Sequence, residues 1–299
     1  MTDTKPLALV TGASSGIGYE LAKQFAQHGY DVVVNAEDAG LEKAAMLVRA
    51  EGADVVPVQA DLRTPDGIQQ LWTRVQALGR PLDAAALNAG VGEGGAFVDT
   101  DWADDLEIMQ LNVVSTTALM KLVLTQMTQR NEGRLLVTSS IASTQPGSYQ
   151  AVYNASKSFV QSLTEAVQDE LKDSAVTITS LMPGPTDTNF FARAHMLATG
   201  MGKGPKDSPE DVARQGFEAL VAGEKKVVAG SLMTKAMAAT NAVLPDRVKS
   251  AAHAKMAEPR SKNSVSVGPG ISEVIVTPES FSSSCTASVS DWTKDFEAL

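Results

Sequence analysis

The feature that most constrains the fold of this chain is a regular alternation, over its first 230 residues, of short apolar runs with longer segments of helical period. The runs are rich in Val, Leu and Ile, and continuous runs of this kind are typical of strands buried on both faces of a parallel sheet. Seven of them are predicted to be strands: 7–11, 31–35, 54–58, 83–87, 134–138, 175–181 and 225–229.

The segments between these runs are predicted to be helices. Strand and helix in strict alternation, joined by right-handed crossovers, predict an α/β fold with a doubly wound parallel sheet. Ser208, Pro209 and Glu210 supply a cap, a first-turn proline and an acid, which together mark a helix start. Residues 232–257 add two amphipathic helical pieces broken at Pro245. The main helices are predicted at 16–28, 38–51, 65–78, 101–129, 153–172 and 208–222.

The composition predicts one globular domain followed by a different kind of segment. A hydrophobic fraction of 43% and a charged fraction of 20% are those of a protein that buries a core. From Pro259 onward the sequence becomes rich in Ser, Val, Gly and Pro. We therefore expect residues 1–258 to form one domain and residues 259–299 to form a tail or appendage. The tail is either disordered or adds a strand at 273–277 and a short helix at 290–299, and the sequence does not choose.

Charge and residue usage exclude several function classes. The net charge of −10 repels a polyanion on average, so nucleic acid is not an expected partner. The single cysteine, Cys285, cannot form an intramolecular disulfide. The histidines at 28, 195 and 253 have no metal-ligand spacing, so they are interpreted as surface or core fillers and no metal is expected. The N-terminus does not resemble a signal peptide, and no window reaches the roughly 18 uninterrupted apolar residues of a membrane span, which predicts a cytoplasmic protein.

A glycine-rich turn follows the first predicted strand. Residues 11–18 read TGASSGIG and open directly into a predicted helix. Gly12, Gly16 and Gly18 allow the backbone to turn tightly and approach a diphosphate, and the helix N-terminus offers unpaired N–H groups to it. A turn of this kind without a ligand is the alternative, but the strand-turn-helix context favours a dinucleotide site.

The spacing GxxxGxG in TGASSGIG resembles the glycine motif of the short-chain dehydrogenase/reductase family, single-domain enzymes of about this length on a Rossmann-type fold. Asp61-Leu62 follows the third predicted strand, where that family uses an Asp to hold adenine. Asn88-Ala89-Gly90 follows the fourth and is similar to the family's NNAG, in which these residues stabilise the central strand and its turn. Leu87 replaces the first Asn of that motif, which is a departure from the family.

Tyr153 and Lys157 lie one helical turn apart, on one face of a predicted helix. A free phenol has a pKa of about 10, and a cation within a few ångströms favours the phenolate. Tyr153 would then accept a proton from an alcohol as hydride leaves its carbon, or return one to a carbonyl. The pair alone is typical of a helix surface, so its meaning depends on its neighbours.

Two further residues complete the predicted catalytic set. Ser140 ends the fifth predicted strand and lies thirteen residues before Tyr153, as the catalytic serine does in the resembled family. Its hydroxyl would stabilise charge on the substrate oxygen, and Ser139 is the structural alternative. Asn112 is either an exposed polar residue or, as the resemblance implies, the Asn that bends a helix and holds a water in a proton relay to Lys157.

The last motif, PGPTDT at 183–188, follows the sixth predicted strand and looks like the family's PGxxxT, whose final Thr contacts the cofactor; Thr188 is the match. The resemblance implies that residues 1–258 are a dinucleotide-binding catalytic domain. The implied cofactor-binding residues are Gly12, Ser14, Ser15, Gly16, Ile17, Gly18, Glu37, Asp61, Leu62, Asn88, Ala89, Gly90, Tyr153, Lys157, Pro183, Gly184, Thr186 and Thr188.

The residues after the second predicted strand bear on the choice between NAD and NADP. In the resembled family, NAD users usually have an Asp where Ala36 stands and NADP users an Arg where Glu37 stands, and this chain has neither. Ser15 also lacks the positive charge of many NADP users. A 2′-phosphate beside Glu37 and Asp38 would meet repulsion on the order of 1 kcal/mol or more, with no evident cation to offset it. The cofactor is therefore NAD or NADP, with NAD favoured.

The predicted function is hydride transfer between a nicotinamide cofactor and a carbonyl or secondary alcohol. Two alternatives stay open: a non-reductive enzyme of related fold, such as a dehydratase or epimerase, and a non-catalytic dinucleotide-binding regulator. The chain lacks the larger C-terminal domain of sugar-nucleotide relatives, which argues against the first. Intact Ser140, Tyr153 and Lys157 argue against the second.

The substrate and the assembly are less constrained. The apolar segment 189–205 is predicted to form a lid over the nicotinamide end, which indicates an apolar or amphipathic small molecule. The alternative is that this segment only packs on the body. In the resembled family the helices that match 101–129 and 153–172 form dimers and tetramers, so a homodimer or homotetramer is expected.

Overall fold

The computed structural model describes residues 5–258, apart from the side chains of residues 242 and 243. The strand proposed at 273–277, the helix proposed at 290–299, Cys285 and the tail as a whole lie outside the described residues. The division into a domain and a tail therefore stays a prediction.

One parallel sheet is formed by the strands β1 (Leu7–Thr11), β2 (Asp31–Ala36), β3 (Val55–Gln59), β4 (Ala84–Leu87), β5 (Gly133–Thr138), β6 (Val176–Pro183) and β7 (Lys226–Ala229). Their order is β3-β2-β1-β4-β5-β6-β7. The chain runs outward from β1 to β3, returns to β4 beside β1, and continues outward to β7 on the other side. This reversal opens a crevice at the carboxyl ends of β1 and β4, where ligands bind in doubly wound sheets. The seven predicted strands are confirmed to within two residues at each end.

The strands are apolar on both faces because both faces are covered. In β1, Leu7 and Leu9 belong to one core, and Ala8 and Val10 belong to the other. All four side chains are almost fully buried. This is why the strands appear in the sequence as continuous apolar runs and not as alternating ones.

Helices cover both faces. The helices are α1 (Gly16–Gln27), α2 (Gly40–Arg49), α3 (Pro65–Gln76), α4 (Trp102–Ile108), α5 (Thr116–Arg130), α6 (Ala151–Glu170), α7 (Phe190–Arg193), α8 (Gly200–Lys203), α9 (Pro209–Ala222), α10 (Leu232–Val243) and α11 (Asp246–Ala257). Helices α1, α2 and α9 pack on one face of the sheet, and α3, α5 and α6 pack on the other. The predicted fold class, a doubly wound parallel sheet, is confirmed.

The local signals at the start and break of the last helices are also confirmed. The Ser208 hydroxyl accepts a hydrogen bond from the backbone N–H of Asp211 at the start of α9, and the helix stops at Gly223, whose φ is 70°. Pro245 separates α10 from α11. A proline at this place cannot continue the ladder of α10 but is compatible with the start of α11.

The long helix predicted at 101–129 is present but not regular. Between α4 and α5 the backbone forms a π-helical segment, Met109–Ser115, with Asn112 near its middle. The hydroxyl of Ser115 donates to the carbonyl of Leu111, and Thr117 donates to Val113. A π segment widens one turn of a helix and is frequent at functional sites.

The combined helix Trp102–Arg130 is long and apolar enough to cross a membrane by length and composition alone, and half of its most apolar stretch is buried inside the structure. Its buried residues include Leu119, Val123 and Met127, which pack in the main core. A core helix of a soluble protein passes the same test, so the helix is weak evidence for a membrane span.

Candidate active site

A single cleft at the carboxyl ends of the strands gathers most of the predicted site residues. Every predicted residue lines it except Gly18 and Asn112, which lie directly behind it. The cleft runs from the residues after β2 and β3, past the glycine turn after β1, to Tyr153 on α6. This course follows the crevice that the reversal of strand order creates.

The turn between β1 and α1 has the backbone that a diphosphate requires. Gly12 and Gly16 have φ values of 66° and 59°, where side chains other than glycine are strained. A Cβ atom on Gly18 would lie 2.2 Å from the carbonyl oxygen of Gly12. Ser15 provides no side-chain cap for α1, so the N–H groups of its first turn remain available to an anion. These residues fit the diphosphate of a dinucleotide.

Hydrogen bonds of Asn88 connect the ends of three strands beside this turn. Its side-chain amide donates to the carbonyl of Thr11, and its oxygen accepts from the hydroxyl of Thr138. The Thr11 hydroxyl in turn accepts from the backbone N–H groups of Asn88 and Ala89, at 3.0 and 3.1 Å. The ends of β1, β4 and β5 are thereby fixed relative to each other at the floor of the cleft.

Asn112 is fully buried, so its interpretation as an exposed polar residue is wrong. Its amide donates to the carbonyl of Val91 and to the hydroxyl of Ser156, both at 2.9 Å, and its oxygen accepts from the N–H of Val91. A Cβ atom on Gly90 would lie 3.1 Å from the Asn112 oxygen and 3.2 Å from Lys157 Nζ. The π segment thus places an amide next to the lysine ammonium, with only a glycine between them.

Tyr153 and Lys157 are both buried in the cleft, and burial dominates their ionisation. Burial raises the pKa of Tyr153 to about 12, and hydrogen bonding with Ser140 opposes only part of this rise. Burial lowers the pKa of Lys157 to about 8. We expected Lys157 to lower the phenol pKa. Instead, its ammonium donates to the carbonyl of Thr138 at 3.0 Å, and the loss of water around the phenol outweighs any lowering by the lysine.

Ser140 and Ser139 have different surroundings. The Ser140 hydroxyl lies beside the Tyr153 phenol and accepts from the N–H of Ala142, which caps a short 3₁₀ turn. The Ser139 hydroxyl donates to the backbone carbonyl of Lys157 at 3.3 Å. Ser139 therefore contributes to the packing of α6, whereas Ser140 presents its hydroxyl next to the phenol.

The predicted lid lies over this end of the cleft. The ring of Phe190, at the start of α7, packs against Tyr153 with a centroid distance of 5.2 Å. A Cβ atom on Gly92 would lie 2.6 Å from the same phenylalanine ring. Thr188 approaches the glycine turn closely, since a Cβ atom on Gly16 would lie 2.9 Å from its methyl group.

The other end of the cleft carries a cluster of charges around Arg63. The guanidinium donates to Asp61 at 2.9 Å and to Glu107 at 2.8 Å, and it also pairs with Glu37. Hydrogen bonding with Asp61, together with the other carboxylates, raises the pKa of Arg63. The same hydrogen bond lowers the pKa of Asp61. Sequence reasoning missed this residue, although it directly follows Asp61-Leu62.

Asp38 forms a second paired group nearby. Its carboxylate accepts from the Ser14 hydroxyl at 2.7 Å and lies 3.6 Å from the Arg193 guanidinium. Burial acts to raise the pKa of Asp38, but the hydrogen bonds of Ser14 and Gly40 and the charge of Arg193 lower it overall. From the sequence we expected no cation at this end of the cleft, whereas the structure places two guanidinium groups there, both already paired.

The remaining lining residues come mainly from elements that carry no recognised motif. They include Gln145 and Gln150 before α6, Met201 in the lid, and Met237, His253 and Met256 on α10 and α11. His253, interpreted from the sequence as a filler, is buried and faces the cleft. No local sequence signal could have assigned these residues to the site, because their place depends on how α10 and α11 pack.

Comparisons with known proteins agree with this geometry. The model of the family described as short chain dehydrogenase matches residues 6–196. The chain belongs to the short-chain dehydrogenase family. The resemblance carried by the motifs is thereby confirmed, and the protein is an NAD(P)-dependent oxidoreductase.

Three similar proteins illustrate the family. A ketoacyl reductase, HetN, from Nostoc sp. is 27% identical over 257 residues, which are 83% of this chain and 88% of the relative. The structure of a short-chain dehydrogenase from Sphingobium yanoikuyae in complex with NADPH has a TM-score of 0.69 and 27% identity, and covers 75% of this chain and 87% of that one. A short chain dehydrogenase/reductase from Burkholderia phymatum in complex with NAD has the same fold, with a TM-score of 0.71, 24% identity, and coverage of 83% and 96%.

Proposed function

We propose that this enzyme transfers hydride between a nicotinamide cofactor and a ketone or secondary alcohol, with Tyr153 as the group that moves the proton. The observation that carries the proposal is the meeting of Tyr153, Lys157 and Ser140 in one buried cleft beside the glycine turn. A dehydratase or epimerase and a non-catalytic regulator are not favoured, because the similar proteins named as enzymes are reductases and dehydrogenases.

Each residue has a distinct task in carbonyl reduction. The cofactor, when bound, supplies the hydride to the carbonyl carbon. The Tyr153 phenol, which its raised pKa keeps protonated, donates its proton to the carbonyl oxygen. The Ser140 hydroxyl donates a hydrogen bond to the same oxygen and stabilises the charge that develops there. Alcohol oxidation uses the same contacts in reverse.

Lys157 and Asn112 assist this proton transfer without contacting the substrate. With a pKa of about 8, the Lys157 ammonium is mostly protonated at neutral pH and stabilises the tyrosinate that remains after the proton has left. The Asn112 side-chain oxygen and Lys157 Nζ both lie close to Gly90. We assign Asn112 to a proton relay that leads to Lys157 and so returns a proton to Tyr153 after each turnover.

The test compares Tyr153→Phe with wild type on a panel of ketones, with binding of NADH followed by fluorescence. We expect the variant to bind NADH normally and to lose turnover by several orders of magnitude. Tyr149→Phe is the matched control, because it removes a phenol hydroxyl that contacts Glu258 outside the cleft. A Tyr153→Phe variant with the wild-type rate would assign proton transfer to another group.

We further propose that NAD is the preferred cofactor. Four carboxylates, those of Glu37, Asp38, Asp61 and Glu107, surround two guanidinium groups at the end of the cleft where the adenosine ribose would lie. The excess of negative charge disfavours a 2′-phosphate dianion. Ribose hydroxyls, by contrast, can donate to the Glu37 carboxylate, which lines the cleft.

Glu37→Gln tests this preference. The change removes one negative charge from the lining of the cleft and leaves Arg63 paired with Asp61 and Glu107 only, so the kcat/KM ratio of NADPH to NADH should rise about tenfold, since 1.4 kcal/mol corresponds to a factor of ten. Glu107→Gln is the control, because Glu107 also contacts Arg63 but does not line the cleft. A wild-type enzyme that strongly prefers NADPH would contradict the proposal.

The assembly is proposed to be a homodimer or homotetramer in the cytoplasm. The apolar side chains of Phe97, Val98, Trp102 and Phe159, which lie on or next to α4 and α6, are exposed in the single chain. A second copy that covers α4, α5 and α6 would bury them. Sizing by light scattering checks this, and a monomer at micromolar concentration would contradict it.

A further inference from the structure

His253 is a buried imidazole in the cleft that no step of the proposed reaction uses. It lies on α11 and is only 1% exposed, yet it lines the same cleft as Tyr153. Its Nδ1 atom lies 3.0 Å from the backbone carbonyl oxygen of Ser148. A carbonyl oxygen only accepts hydrogen bonds, so the Nδ1 atom carries a hydrogen.

The other ring nitrogen is therefore a hydrogen-bond acceptor. Burial lowers the pKa of His253, and the hydrogen bond to Ser148 only partly opposes this, so the ring is neutral at neutral pH. A neutral imidazole that carries its hydrogen on Nδ1 has a lone pair on Nε2. Among residues 5–258, no side chain or backbone group donates to this atom.

The position of this acceptor is fixed by the packing of α11. The hydroxyl of Ser250 lies 3.0 Å from that of Ser148, and Lys249 Nζ lies 3.4 Å from the carbonyl oxygen of Thr144. Both contacts join α11 to the loop that runs from Ser140 toward Tyr153. The imidazole is consequently held in a fixed position relative to the catalytic residues.

Apolar side chains line the cleft together with His253, among them Met201, Met237, Met256 and Phe190, and the polar residues Gln145 and Gln150 line it as well. An acceptor among apolar side chains loses its hydrogen bond to water when a purely apolar molecule covers it, and this loss costs free energy. A molecule that brings its own donor avoids the cost.

We propose that His253 is a substrate-binding residue whose Nε2 accepts a hydrogen bond from a hydroxyl or N–H group of the substrate. The substrate class is then a ketone, or the corresponding alcohol, with an apolar body and a hydrogen-bond donor away from the reacting carbon. This inference rests on the proposed function and extends it from a reaction class to a substrate class. A site that hydrogen-bonds a substrate group discriminates strongly against analogues that lack it.

The test uses pairs of aryl methyl ketones that carry either a hydroxyl or a methoxy group at the same ring position, in acetophenones and in the longer acetylbiphenyls. The two substituents have similar electronic effects on the carbonyl, but only the hydroxyl donates. We expect wild type to show, at one or more positions, a kcat/KM at least about tenfold higher for the hydroxy ketone, mainly through a lower KM.

Two variants separate substrate binding from helix packing. In His253→Asn the side-chain amide nitrogen replaces Nδ1 and keeps the bond to Ser148, but the Nε2 acceptor is lost, so the preference for the hydroxy ketone should disappear. In His253→Gln the amide oxygen takes the place of Nε2, so part of the preference should remain. Lys255→Gln, an exposed change on the same helix, should keep the full preference.

Other outcomes would overturn the inference in distinguishable ways. If wild type reduces the ketones without any preference for the hydroxyl, or if His253→Asn keeps the preference, His253 does not bind substrate and only packs α11. If wild type binds neither NADH nor NADPH and reduces no ketone, the proposed function itself fails and this inference falls with it.

Discussion

Replacing Lys157 with methionine should make the ligand-free protein more stable while it abolishes turnover. Lys157 is buried, and no salt bridge to it is formed within residues 5–258. Its one hydrogen bond joins Nζ to the carbonyl oxygen of Thr138 at 3.0 Å. The folded state therefore holds a buried charge without a counter-charge at the catalytic centre. This charge lowers the free energy of unfolding, but the proposed reaction needs it.

The size of this cost follows from the pKa. Burial lowers the pKa of Lys157 from 10.5 to about 8. Since each pKa unit corresponds to about 1.4 kcal/mol, the charged lysine destabilises the folded state by about 3 kcal/mol. Because the folded pKa lies below the unfolded one, the cost is fully present below pH 8. It decreases as the pH rises from 8 to 10.5, where the unfolded state binds more protons than the folded state.

Thermal unfolding of wild type and Lys157→Met, both without cofactor, measures this difference. At pH 7 the variant should melt about 5–10 °C higher, and the gap should close as the pH approaches 10.5. The control Lys121→Met removes an exposed lysine of α5 and accounts for the change in net charge. If the gap between wild type and Lys157→Met is absent at pH 7, or does not change with pH, the buried ammonium is not destabilising and the reasoning is wrong.

Four further substitutions test the floor of the cleft. Gly18→Ala should abolish binding of NADH, measured by fluorescence, because its Cβ atom would lie 2.2 Å from the Gly12 oxygen; normal affinity would show that the turn can shift. Asn88→Ala should lower the free energy of unfolding by about 1–3 kcal/mol in denaturant titrations, because the Thr138 hydroxyl loses its acceptor; an unchanged midpoint would contradict this. Ser140→Ala should lower kcat by about 10²–10³, whereas Ser139→Ala should affect stability more than kcat.

The sequence predicted the parts of the site that depend on strand ends. Gly12, Asn88, Ser140 and Thr188 each follow a buried strand, and an apolar run locates such a strand to within two residues. Once the strands are parallel and adjacent, their carboxyl ends must meet at one edge of the sheet. The motif residues are then brought together by topology alone, which is why their grouping could be predicted without side-chain geometry.

The parts that could not be predicted depend on packing between elements far apart in sequence. His253 reaches the cleft only because α11 packs on the loop at Ser148, and neither segment carries a motif. Arg63 follows the predicted Asp61-Leu62, but its role depends on Glu37, which follows β2, and on Glu107, which lies on α4. The prediction that the pKa of Tyr153 is lowered was also wrong. The sequence spacing of Tyr153 and Lys157 indicates that a positive charge is near, but it does not show how much water burial removes from the phenol.

The cationic side chains at the two ends of the cleft differ in whether carboxylates pair with them, and this difference predicts how activity and binding depend on pH. At one end, Arg63 is paired with carboxylates and its pKa is raised, so it stays charged through the neutral and mildly alkaline range. At the other end, Lys157 is unpaired within the described residues and has a pKa of about 8. Ketone reduction should therefore decline as the pH rises above 8, because the tyrosinate left by proton transfer loses its neighbouring ammonium. Affinity for ADP, which engages the adenosine end and the glycine turn but has no nicotinamide to reach Lys157, should stay constant over the same range. Parallel losses of turnover and ADP affinity would show that the two ends are not electrostatically independent.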